Sequence, residues 1–88
     1  MESIEVLVQN KLGLHARASA KLTEISSEIE SEIAFVFNNQ NVNAKSIMGV
    51  MMLAASFGSK ITVEAEGDDE LEAIKKIQEI FESKFDED

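Results

Sequence analysis

Apolar residues recur along this chain with two different spacings. From Ser3 to Gln9, Ile4, Val6 and Val8 fall on one side of an alternating run, which predicts a half-buried strand. Between Ala16 and about Ser27 the spacing changes. Ala18, Leu22, Ile25 and Ile29 recur at intervals of three and four, the stripe of an amphipathic helix. Ile33, Phe35 and Phe37 return to alternation and predict a second strand. Asn38-Asn39-Gln40-Asn41 reads as a hairpin turn, because Asn tolerates positive φ, and Val42 then lies in a short third strand.

Ser46 is a suitable N-cap for a short helix from Ile47 to about Leu53, and Phe57-Gly58-Ser59 breaks the chain. Ile61, Val63 and Ala65 alternate with Thr62, Glu64 and Glu66 in a fourth strand. Gly67-Asp68-Asp69 precedes a last helix, with Asp69 and Glu72 at capping-box spacing. Leu71, Ile74, Ile77 and Phe81 are its expected buried stripe, which Phe85 extends. The predicted order is β-α-β-β-α-β-α. Strands with a polar alternate face imply a mostly antiparallel sheet of four strands, open on one side and covered by helices on the other. We therefore expect an α+β fold, a two-layer open-faced β-sandwich forming one domain over residues 1–88.

Charge divides the chain unevenly. Residues 1–63 carry a net charge of −1 and residues 64–88 a net charge of −8, so the acidity belongs to the C-terminal portion. A solvated helix face and a frayed acidic tail account for it. Nucleic acid is an unsuitable partner, because a phosphate backbone requires a basic stripe. The nearly neutral front portion allows Lys11, Arg17, Lys21 and Lys45 to form a local positive region that suits an acidic partner protein. There is no cysteine, which excludes disulfides and thiolate metal sites. No basic segment followed by an apolar run opens the chain and no long apolar run follows, so the expectation is a cytoplasmic protein without direct membrane insertion; nothing in the sequence demands more than a monomer.

The only histidine, His15, stands in Gly13-Leu14-His15-Ala16-Arg17, immediately before the predicted first helix. Unpaired backbone N–H groups at a helix start attract anions, phosphate included. A neutral imidazole is itself a nucleophile and can accept a phosphoryl group. Arg17 supplies a guanidinium fork that matches phosphate oxygens. One histidine makes no metal cluster, and the chain has no P-loop or dinucleotide fingerprint. No cofactor or metal is called for. A histidine that itself accepts a phosphoryl group needs little further machinery.

These residues resemble a known family. Gly13-Leu14-His15-Ala16-Arg17 is similar to the active-site motif of HPr, the histidine-containing phosphocarrier family of the phosphoenolpyruvate-dependent sugar phosphotransferase system. Asn43 to Met51, Asn-Ala-Lys-Ser-Ile-Met-Gly-Val-Met, resembles that family's second signature, around a regulatory serine. The resemblance implies an open-faced β-sandwich with three helices. It implies that Nδ1 of His15 takes a phosphoryl group from phospho-enzyme I and passes it to sugar-specific IIA domains. Arg17 then steadies the phosphate, and the backbone amides of Ala16 and Arg17 contact it. The resemblance thus implies a covalent intermediate more than a stand-alone enzyme. A dedicated kinase and phosphorylase acting on Ser46 are further partners that the resemblance implies. Two positions depart from the pattern. Ala18-Ser19 stands where the family usually has Pro-Ala, and Ala54 stands where it usually has Gly. The first removes a fixed φ from the opening helical turn, and the second adds a Cβ that restricts backbone approach to a partner or requires a different local φ.

The segment from Ile47 to Ala54 is apolar nearly all round. A two-turn surface helix cannot bury every such side chain, and methionine-rich surface adapts to several partners. Ile47, Met48 and Met51 are therefore the expected docking residues. The alternative from another functional class is a regulatory paralogue of the same family, acting through phosphorylation of Ser46 and protein binding; the presence of His15 weighs against it.

Overall fold

A computed structural model describes residues 1–86 of the chain. Its elements are β1 (Glu2–Leu7), α1 (Ala16–Ser27), β2 (Glu32–Phe37), β3 (Gln40–Asn43), α2 (Ile47–Met52), β4 (Lys60–Glu66) and α3 (Glu70–Glu82), followed by a short turn at Lys84–Asp86. The sheet order is β1-β4-β2-β3 and every neighbouring pair is antiparallel. The last strand in sequence is thus inserted between the first two, which closes β1 onto the rest of the sheet.

Register explains the two faces. Ile4 pairs with Val63, Val63 with Phe35, and Phe35 with Val42, giving one apolar row across all four strands. Their neighbours on the opposite face, Ser3, Glu64, Ala34 and Asn43, form a more polar row. A slip of one residue would exchange these rows, so burial fixes the register. α3 lies over β1 and β4, α1 packs against α2 and α3, and α2 sits beside β3. This is the two-layer, open-faced α+β architecture that the periodicities predict.

At the hairpin, Asn38 and Asn39 both have positive φ (55° and 66°), the backbone that a two-residue turn matched to strand twist requires. Phe35 and Phe81 meet edge to face at 6.2 Å, and Phe81 meets Phe85 at 5.0 Å.

Three local expectations are corrected. Leu71 is 70% exposed and Ala73 takes its place, so the buried stripe of α3 is Ala73, Ile74, Ile77 and Phe81. At roughly 100° per residue, Leu71 projects about a quarter-turn away from the centre of that set. Phe85 is buried but does not extend the helix. α3 ends at Glu82, and Lys84, Phe85 and Asp86 all take positive φ, folding the ring back onto Phe81. Asp69 makes no side-chain cap to α3. Its carboxylate accepts instead from the backbone N–H groups of Glu30 (3.1 Å) and Ser31 (2.9 Å) and from the Ser31 hydroxyl. Glu70 reaches back to the Gly67 N–H at 3.1 Å, a contact the Asp69–Glu72 spacing does not foretell. The end of the expected acidic tail, Glu87 and Asp88, lies outside the described residues.

Candidate functional site

His15 is the N-cap of α1. Its backbone is extended (φ −75°, ψ −177°), while its carbonyl already accepts the first helical hydrogen bond, from Ser19 N–H at 2.9 Å. The ring takes the part usually played by Ser or Asp: Nδ1 accepts from the Arg17 backbone N–H at 3.3 Å. An accepting Nδ1 carries a lone pair and no proton. The partly exposed ring therefore holds this lone pair beside a helix-terminal donor.

The loop before His15 is tightly built. Gly13 has φ 68°, and a Cβ there would lie 2.6 Å from the Ala55 carbonyl oxygen, so only glycine permits this approach. Leu14 is buried, and its N–H donates to Ala55 O at 2.9 Å. The loop carrying His15 is thereby joined to the segment that leaves α2. Ala54 in that segment takes φ 53°, so the alanine occupies the left-handed conformation that a glycine would favour.

His15 opens onto a depression lined also by Lys11, Ala16, Arg17, Lys21 and Asp86. Arg17 is exposed, and among the described residues its guanidinium has no hydrogen-bond or ion-pair partner. Lys21 donates to the Phe85 carbonyl at 2.6 Å and lies 3.8 Å from Asp86, which partly offsets its charge. Three of the four cations expected near the front of the chain thus gather here. Lys45 does not: its ammonium donates to Ile29 O at 2.7 Å, and it lines a depression on the open side of the sheet with Glu32, Glu64 and Glu66. Those carboxylates disfavour an anion there, which leaves the His15 depression as the better phosphate environment. Among the described residues no three His, Cys, Asp or Glu side chains converge to hold a metal ion, and no helix is long and apolar enough to cross a membrane.

Ser46 caps α2 as its sequence predicts, accepting from Gly49 N–H at 3.1 Å. Along α2, Val50 is buried, whereas Ile47, Met48 (64% exposed) and Met51 project outward. Met52, 67% exposed, joins them. The apolar run alone could not separate it from the core. Asn10 and Ser19, both fully buried beside the loop, were equally hidden, because neither position interrupts a pattern.

The profile of the family described as PTS HPr component phosphorylation site matches residues 2–83. The chain belongs to the HPr family. A phosphocarrier protein HPr of Xylella fastidiosa is 51% identical over 84 residues, covering 96% of this chain and 94% of that protein. The crystal structure of HPr-C-His from Thermoanaerobacter tengcongensis superposes with a TM-score of 0.96 at 45% identity, covering 100% of this chain and 99% of that one. Crh, the Bacillus subtilis catabolite repression HPr, is 38% identical with a TM-score of 0.66, covering 91% of this chain and 94% of its own. The HPr assignment agrees with the motif at His15 and the second signature at Ser46.

Proposed function

We propose that this chain is a phosphoryl carrier that loads His15 from phospho-enzyme I and unloads it to IIA domains in the cytoplasm. The observation that carries this reading is Nδ1 of His15 lying against the Arg17 amide at the start of α1. The Nδ1 lone pair forms a bond to phosphorus as the donor's bond to the same phosphorus breaks and the donor keeps that electron pair. The Arg17 N–H, released from the ring, then donates to a phosphate oxygen. The Ala16 N–H lies one residue nearer the helix start and serves the same anion, and the Arg17 guanidinium forks onto it. Transfer onward is the reverse exchange with an acceptor. Neither direction needs a cofactor or metal.

Ile47, Met48 and Met51 form the docking surface in this reading, since exposed methionines accommodate one donor and several acceptors. Phosphorylation of Ser46 by a dedicated kinase adds about −1.5 to −2 charge at the start of α2 and lowers loading of His15 by repelling an acidic partner. The test is incubation with phosphoenolpyruvate and enzyme I, followed by intact mass. The wild type gains one phosphoryl group and His15→Ala gains none; Met48→Glu and Ser46→Asp load more slowly with their folds intact. A wild type that gains no mass refutes the carrier and favours the regulatory reading, in which Ser46 alone is the modified residue.

A further inference from the structure

The two residues preceding His15 have all their backbone polar groups committed. Gly13 N–H donates to Asn10 O at 3.1 Å, and Gly13 O accepts from Asn10 Nδ2 at 2.7 Å. Leu14 N–H donates to Ala55 O at 2.9 Å, and Leu14 O accepts from the Ser19 hydroxyl at 3.1 Å. Asn10 and Ser19 are both fully buried, and the Leu14 side chain is buried between them in sequence. None of these groups reaches solvent, so each bond is replaced by an unpaired group if its partner is removed. The bonds lie on the peptide groups that set where the Cα of His15 sits and how α1 begins.

We propose that Ser19 and Asn10 are positioning residues that brace the 13–14 backbone and so aim Nδ1 of His15 at the Arg17 amide. Ser19 is the more informative of the two. Its hydroxyl ties the first turn of α1 back to the Leu14 carbonyl, and Ala18 beside it has no ring to fix φ in that turn, so the tether is the restraint this turn carries. Asn10 holds the other end of the loop, clamping Gly13 from side chain and backbone together. This inference rests on the carrier reading for its consequence in transfer, but the geometry it asserts is independent of any reaction.

The test compares wild type, Ser19→Ala and Ala18→Pro/Ser19→Ala. Ser19→Ala removes one oxygen, and proline at 18 falls in the first helical turn, where its missing N–H costs no helical bond. Two quantities are read: hydrogen-exchange protection of the Arg17 amide by NMR, and kcat and KM for phosphoryl uptake from enzyme I. In Ser19→Ala we expect Arg17 protection to fall about 2–10-fold, and kcat to fall by a similar factor with KM unchanged. The double variant restores both. Unchanged protection and kcat overturn the proposal. So does a loss of thermal stability with both quantities intact, which marks Ser19 as merely structural, or a change in KM alone. If the wild type takes up no phosphoryl group, the carrier reading fails, and Arg17 protection still decides the brace. Asn10→Ala is expected to lower Arg17 protection in the same way where it folds.

Discussion

Ala54→Gly should stabilise this protein. Ala54 follows the C-cap of α2 with φ 53°, its N–H donates to Met51 O at 3.1 Å, and its side chain is exposed. The methyl group therefore contributes little packing, while its Cβ crowds the backbone in a left-handed conformation. That conformation costs an L-residue about 1–2 kcal/mol. Glycine removes the cost but enlarges the unfolded ensemble, which takes back about 0.4–1 kcal/mol. The net gain is about 1 kcal/mol, equivalent to a rise in Tm of about 4–8 °C for a chain of this length. Thermal unfolding followed by circular dichroism, with urea unfolding as a check on the slope, measures it. An unchanged or lowered Tm would mean that the turn relaxes elsewhere and stores no strain at Ala54, and the argument would fail.

Other consequences follow from the same geometry. Gly13→Ala brings a Cβ to 2.6 Å from Ala55 O at a residue with φ 68°, so it should cost about 2–4 kcal/mol in urea unfolding and disturb the His15 loop. Stability should also depend on acid pH through Asp69. Its hydrogen bonds, first from the Ser31 hydroxyl and then from the Glu30 and Ser31 amides, hold its carboxyl below the ordinary value. A group lowered in the folded state stabilises fully above its unfolded pKa and loses that contribution as pH falls through its folded pKa. Tm should therefore fall as pH drops from about 5 into the acid range, and Asp69→Asn should flatten the slope. Equal slopes in the two proteins would show that the Ser31 contact carries no linkage.

Much of the fold was legible because burial here follows backbone periodicity. The alternations at Ile33–Phe37 and Ile61–Ala65 place the strands to within about a residue, and the Asn38-Asn39 pair announces its own turn chemistry. What escaped depends on long-range pairing. Nothing local says that Ala73 faces inward in place of Leu71, because the rotation of α3 is set by β1 and β4 beneath it. Asp69 looked like a helix cap, but Ser31, distant in sequence, claims its carboxylate. Of the candidate site, His15 and Arg17 are legible because a helix start concentrates donors at a predictable place. Asn10 and Ser19 were not, since their partners are backbone groups whose positions only the folded loop defines.

Phosphoryl transfer through this protein turns on one nitrogen atom. After loading with phosphoenolpyruvate and enzyme I, correlated ³¹P and ¹⁵N NMR of the uniformly ¹⁵N-labelled protein reads which atom bears phosphorus. We predict one acid-labile phosphoryl group bonded to Nδ1 of His15, with the Arg17 amide resonance shifted as it turns from ring to phosphate. Phosphorus on Nε2, on a serine hydroxyl, or on no residue would contradict it.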